Sequence, residues 1–177
     1  AVEENLPYID ALGIKYVLIP WAGAEEVESA EKYAKFLSET KEARALLDAR
    51  GVGFGYHNHA HEFENGKDYL KKITDDVAGL KAELDVFWAT VAGLDAVGKM
   101  KELEGKLAFV HIKEAAKENA REAAQPVVGE GAVGMPAVFA EAKRQGIEWA
   151  VLEVEKFPCG EQEYLSRSFE NMKKLGN

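Results

Sequence analysis

Between residues 51 and 59 the chain reads Gly51-Val52-Gly53-Phe54-Gly55-Tyr56-His57-Asn58-His59, and its two parities differ in kind. Successive side chains of an extended strand point to opposite faces. Val52, Phe54 and Tyr56 make one face bulky, whereas the other runs Gly51, Gly53, Gly55, His57, His59, small and then polar. If the bulky face meets helices, the glycines look into the interior of a closed barrel and His57 emerges at its C-terminal mouth, where the active sites of such barrels lie.

The same pattern recurs along the chain. Strand candidates start near Lys15, Val52, Lys81, Leu107 and Trp149, at spacings of 37, 29, 26 and 42 residues. One strand, one helix and a return loop take about 30 residues, and such units in series build a parallel sheet with helices outside. The chain thus reads as five βα units. Apolar stripes of helical period lie between the strands: Tyr33, Phe36, Leu37 and Leu47; then Leu70, Ile73 and Val77; then Val97, Met100 and Leu103; then Val138, Phe139 and Ala142. Gly51, Gly79, Gly105 and Gly146 mark the helix ends. Leu165, Phe169 and Met172 are expected on the buried face of a last helix, near Glu163 to Leu175. With no Pro/Ser-rich linker in this series, residues 1–177 read as a single, partial barrel domain.

Composition narrows the function classes. Of 177 residues, 47% are hydrophobic, enough for a core, and 22 basic against 31 acidic residues give a net charge of −9. An acidic chain without a basic stripe argues against nucleic acid as a partner, and no apolar run approaches the length of a membrane span. The single cysteine, Cys159, excludes an internal disulfide and suits a reducing, cytoplasmic location.

Strand parity also collects the chemistry. Glu83 and Asp85 share a face opposite Leu84, Val86 and Trp88; His111 and Lys113 oppose Val110 and Ile112; Glu153 and Glu155 oppose Leu152 and Val154. Four successive strands thus end in ionisable groups on their inner face, and buried polar groups must be paired. Either they form a hydrogen-bonded polar layer, or they hold a divalent metal. In the second case His57, Asp85, His111 and Glu153 give one ligand per strand, 28, 26 and 42 residues apart, with an imidazole and carboxylate set that suits zinc, manganese, iron or cobalt.

His57-Asn58-His59-Ala60-His61-Glu62-Phe63, Glu83-Leu84-Asp85-Val86-Phe87-Trp88, Val110-His111-Ile112-Lys113, Val128-Gly129-Glu130-Gly131 and Leu152-Glu153-Val154-Glu155 resemble, in order, the motifs of the sugar phosphate isomerase/epimerase family. That family belongs to the xylose isomerase-like TIM barrels. The resemblance runs from about Asn5 to Gly176 and implies an α/β barrel of which this chain holds about five βα units, strands 4 to 8. Against an eight-stranded barrel, three units or roughly 90 residues are lacking, which leaves three readings: a portion of a longer protein, a barrel completed by association into a homo-oligomer, or a reduced fold. The resemblance further implies one divalent ion (Mn, Zn, Co, Fe or Mg), with Asp85, His111 and Glu153 in the positions of the family's ligands. His57 stands where many relatives carry Glu, which leaves His57, His59 or Glu62 to complete the coordination.

The activity so implied is isomerisation or epimerisation of a sugar or sugar phosphate, by proton transfer beside the carbonyl through a metal-stabilised enediolate. Glu153 is the first choice for the base and Glu155 the second. Lys113 is placed to neutralise an alkoxide or a substrate phosphate, or else to pair with Glu83 or Glu155. His59, Glu62 and Trp88 are the further substrate-binding candidates, and Trp21 and Trp88 sit just past strand ends where they can stack on a sugar. Alternatives are a keto-sugar dehydratase or lyase of the same family, a metal- or sugar-binding remnant without catalysis, and a nuclease of the related endonuclease branch. Gly129-Glu130-Gly131-Ala132-Val133-Gly134 has the dinucleotide spacing GxGxxG, yet it carries an acid where pyrophosphate would approach and lies some 15 residues beyond its strand. As a loop beyond a barrel strand it retains at most a weak anion role.

Overall fold

The computed structural model describes residues 2–176. In chain order the elements are α1 (Val2–Leu12), β1 (Tyr16–Ile19), α2 (Ala24–Glu28), α3 (Ala30–Asp48), β2 (Gly53–His57), α4 (Tyr69–Asp76), β3 (Lys81–Asp85), α5 (Val86–Val91), α6 (Ala96–Glu102), β4 (Leu107–Ile112), α7 (Met135–Gln145), β5 (Trp149–Leu152) and α8 (Glu161–Gly176). This is the α/β alternation of five strands and their helices expected from the sequence. Two compact units divide the chain, one up to Glu83 and one from Leu84 onward, so the boundary falls inside β3. No helix among the described residues is long and apolar enough to cross a membrane.

In the first unit β1, β2 and β3 pair in parallel, with Tyr16 beside Gly53, Leu18 beside Gly55 and His57 beside Glu83. This register explains the glycines of β2. A Cβ on Gly53 would stand 2.1 Å from the Tyr16 ring, and one on Gly55 would stand 2.8 Å from Leu18 Cδ2 and 3.1 Å from the Lys81 carbonyl oxygen. The bare face of β2 is therefore filled by the large side chains of its neighbour. Its other face, Val52, Phe54 and Tyr56, is buried with Leu47, Leu70 and Ile73 from the flanking helices. Ser29 caps α3 by accepting the Lys32 N–H, and Asp68 caps α4 by accepting that of Lys71.

In the second unit the strand order continues β3-β4-β5, with Phe109 beside Trp149 and Ile112 beside Leu152. Met100, Leu103, Val138 and Phe139 are buried as their periodicity requires. Two expectations need correction. The third strand does not run on to Trp88, because Asp85 accepts the Trp88 N–H at 2.8 Å and caps a helix that opens at Val86. The face of α8 that is buried is not the one that hydrophobicity suggests. Leu165 and Phe169 are 47% and 58% exposed, whereas Tyr164 and Ser168 are fully buried. Polar contacts choose that face: Ser168 Oγ accepts the Val128 N–H, and the Asn171 side chain donates to the Val128 carbonyl.

The glycine-rich run from Gly129 to Gly134 is wrapped around one buried carboxylate. Glu114 accepts the N–H groups of Ala115, Gly129 and Val133 at 3.1, 3.0 and 3.0 Å. A Cβ on Gly131 would lie 2.3 Å from the Ala115 carbonyl oxygen and 2.5 Å from the Glu114 side chain. Two of the loop's own donors are thus engaged by the protein's own anion, which argues against a phosphate there. Glu114→Ala is expected to destabilise the chain by about 3–5 kcal/mol, because it leaves buried N–H groups without an acceptor. Glu114→Gln, which keeps one acceptor oxygen, is expected to cost roughly half of that. Urea unfolding of both variants checks the ranking.

Candidate active site

Within the second unit, the ends of β3, β4 and β5 bring Asp85, His111 and Glu153 together. Asp85 is fully buried; Oδ1 is held by the cap of α5, and Oδ2 lies 3.4 Å from His111 Nδ1. His111 Nε2 lies 3.1 Å from Glu153 Oε2. Glu153 follows β5 directly, and its N–H still bonds to the Ile112 carbonyl at 3.0 Å, which fixes where its side chain leaves the sheet. A neutral imidazole has one donor nitrogen, so a carboxylate at each ring nitrogen sets one lone pair against another. An imidazolium resolves this, and so does a cation shared by the three groups.

Lys113, which follows β4, is fully buried and pairs with Glu155 at 2.6 Å, with Glu153 at 4.0 Å. Of the two partners open to it in the sequence, Glu155 is the one it meets. Its ammonium also stands over the rings of Phe87 and Trp88, 4.7 and 4.9 Å from their centroids. Arg121 lies 5.7 Å from the same Trp88 ring. Glu155 is set in turn by Gln125, whose Oε1 accepts the N–H groups of Glu155 and Lys156 at 3.1 and 2.7 Å. No sequence signal marks Gln125, since the contact spans 30 residues of chain and involves backbone groups.

Within the first unit, His57 ends β2 and its Nδ1 donates to Glu83 at 2.8 Å. This selects the tautomer in which Nε2 is the acceptor nitrogen. Strand parity had already put Glu83 on the inner face, so the sequence carried the signal for this pair. The loop after β2 is built on Glu62, which is fully buried and accepts the Tyr56 hydroxyl at 2.7 Å and the His59 N–H at 2.9 Å. Burial, and then the Glu62 charge, push the Tyr56 phenol well above its usual pKa, so it remains a donor. Glu62 is thus an anchor for the loop. The His59 ring packs against those of His57 and Trp21 at 4.9 and 4.7 Å, and His61 Nε2 donates to the Ala22 carbonyl at 2.9 Å.

Comparisons with known proteins place this geometry in context. A family model described as xylose isomerase-like TIM barrel matches residues 1–175. Among solved structures, a sugar phosphate isomerase/epimerase from Parabacteroides distasonis aligns with a TM-score of 0.77 at 20% identity, over 98% of this chain and 64% of that one. A xylose isomerase domain protein from Planctomyces limnophilus gives 0.77 at 16%, over 98% and 62%. The IOLI protein, solved with a zinc atom, gives 0.77 at 16%, over 99% and 67%. At these identities the likeness is one of fold, and the chain spans just under two thirds of the length of the first two structures. Comparison with curated proteins gives no match.

Proposed function

We propose that this chain, which belongs to the xylose isomerase-like TIM barrel family, carries the proton-transfer end of a divalent-metal-dependent sugar isomerase or epimerase. The observation that carries the reading is the His111 ring, set between two carboxylates at 3.4 and 3.1 Å. Two carboxylate oxygens and an imidazole nitrogen are a donor set for zinc, manganese, iron, cobalt or magnesium. Asp85, His111 and Glu153 would hold the ion. The zinc atom of the IOLI structure supports this choice of cofactor.

A bound cation supplies Lewis-acid polarisation of a sugar carbonyl and the hydroxyl beside it. The rest is done by the chain's own groups. The Glu153 carboxylate takes the proton from the carbon next to the carbonyl: an O–H bond forms, the C–H bond breaks, and the electron pair moves to the carbonyl oxygen. Returning the proton to the former carbonyl carbon, while the neighbouring hydroxyl gives its own proton to the oxyanion and becomes the new carbonyl, isomerises the sugar; protonation of the first carbon from its other face by a second carrier, as the oxyanion becomes the carbonyl again, epimerises it. Glu155, held by Gln125 and Lys113, is the second proton carrier. Lys113 places a positive charge beside the developing oxyanion, and Trp88 offers an apolar ring to the sugar.

The test is deuterium exchange from D2O into the carbon next to the carbonyl of free keto-sugars, with metal content measured on the same sample. About one divalent ion per chain, with exchange that stops on chelation, is expected. Exchange accompanied by loss of water would instead identify a dehydratase or lyase. Absence of both metal and exchange overturns the reading.

A further inference from the structure

At the edge of the second unit's site, Trp88 gathers two cations. It lies in the first turn of α5, and its N–H is held by Asp85 at 2.8 Å. The Lys113 ammonium and the Arg121 guanidinium stand over its ring at 4.9 and 5.7 Å from the centroid, both inside the roughly 6 Å reach of a cation–π contact. The two differ in circumstance. Lys113 is fully buried and its charge is met by Glu155 at 2.6 Å, whereas Arg121 is exposed.

Arg121 belongs to the long connection between β4 and α7, yet its place is fixed. The Asn119 carbonyl accepts the N–H groups of Glu122 and Ala123 at 3.0 and 2.9 Å, which closes a turn around Arg121. Lys156 ties that turn down, since its Nζ donates to the Glu122 carbonyl at 2.9 Å and to the Glu122 carboxylate at 3.2 Å. Further on, the Gln125 N–H donates to the Lys156 carbonyl at 2.9 Å. The turn that carries Arg121 is thus fastened to the segment that carries Glu153 and Glu155.

Charge and shape then select a ligand. Asp85, Glu153 and Glu155 outnumber Lys113 and Arg121 by one charge, and the divalent ion proposed above would turn that deficit into a single positive excess. A guanidinium offers its N–H donors as a planar fork that matches a carboxylate, and resting on an aromatic ring does not consume them. Phosphate is the poorer match, because it carries about two negative charges near neutral pH. The glycine-rich run that could hold one also has the Gly129 and Val133 N–H groups committed to Glu114.

We propose that Arg121 is a specificity-determining residue that pairs with a carboxylate of the substrate, so that the substrate is a keto-sugar acid rather than a neutral sugar or a sugar phosphate. This rests on the isomerase reading for the carbonyl end of the substrate and adds what the other end carries.

The experiment is calorimetric binding to the full chain, in the presence of Mn²⁺, of two matched sets: fructose, fructuronate and fructose 6-phosphate, and tagatose, tagaturonate and tagatose 6-phosphate. Every member carries the carbonyl, and within a set only the group at the far end changes. At least one acid is expected to bind about tenfold more tightly than its neutral sugar, as a charge-assisted pair implies, and more tightly than its phosphate. Arg121→Ala is expected to weaken that acid about tenfold and to move the neutral sugar by less than about twofold. Arg121→Lys, which keeps the charge and loses the fork, is expected to fall between the parent and Arg121→Ala. Equal loss for the acid and the neutral sugar would mean that Arg121 only supports Trp88, and overturns the proposal. It is also overturned if neither acid exceeds its neutral sugar, or if a phosphate binds most tightly. Deuterium exchange read on the same sugars keeps the two readings apart. An acid preference that depends on Arg121 without exchange removes the isomerase reading alone, and exchange without that preference removes the Arg121 role alone.

Discussion

Replacing Glu153 by glutamine is expected to slow proton exchange at the carbon beside the sugar carbonyl by about 10²–10⁴-fold, the range that a positioned general base contributes. The amide fills the same volume and leaves the backbone bond to Ile112 in place, so the thermal midpoint is expected to stay close to that of the parent. Glu153 is 39% exposed at the side chain and so is open to substrate, whereas its N–H is fixed to β4. Glutamine can still offer an oxygen to a cation but cannot take the proton. Metal content measured beside exchange therefore separates the two roles: retained metal with lost exchange identifies the base. Exchange that survives in Glu153→Gln and falls in Glu155→Gln moves the base two residues along the chain.

The second large effect is expected at Asp85. One oxygen of this buried carboxylate ends β3 by capping α5, and the other faces His111. Asparagine caps a helix as well as aspartate does, so Asp85→Asn preserves the first function and removes the charge needed for the second. Metal affinity is expected to fall by at least about 100-fold, beyond what loss of an outer-sphere partner costs, with the fold unchanged. Asp85→Ala is expected to lose metal equally and to unfold about 2–4 °C lower, for roughly 1 kcal/mol of lost capping. Metal titration and thermal melting of the pair check this. Undiminished metal binding in Asp85→Asn would mean that the Asp85 charge does not hold the ion.

The parts of this molecule that were legible in the sequence are those governed by period and parity. Glycine and bulk alternate through β2 because side chains alternate there, and the inner face of β3 announced both Glu83 and Asp85. What escaped were choices made by single polar contacts across long stretches of chain. Hydrophobicity placed Leu165 and Phe169 inward, but the Val128 backbone selected the Tyr164, Ser168 and Asn171 face of the same helix. Likewise nothing in the run 129–134 says that its donors belong to Glu114. The strand end at Asp85 was missed because a capping aspartate and a strand aspartate are the same letter, and only the following turn distinguishes them.

The filled face of β2 also bears on how this chain can vary. Tyr16 and Gly53, 37 residues apart, divide one fixed allotment of space between them, and Leu18 takes most of that beside Gly55. Shrinking the residue on β1 alone opens a void, and enlarging the one on β2 alone makes a clash, so either step taken singly is disfavoured. At Gly53 the limit is set by Tyr16 alone, so the two can change only in opposite directions, whereas Gly55 is hemmed in by Leu18, Tyr16 and the Lys81 carbonyl together and has no single partner whose change would release it.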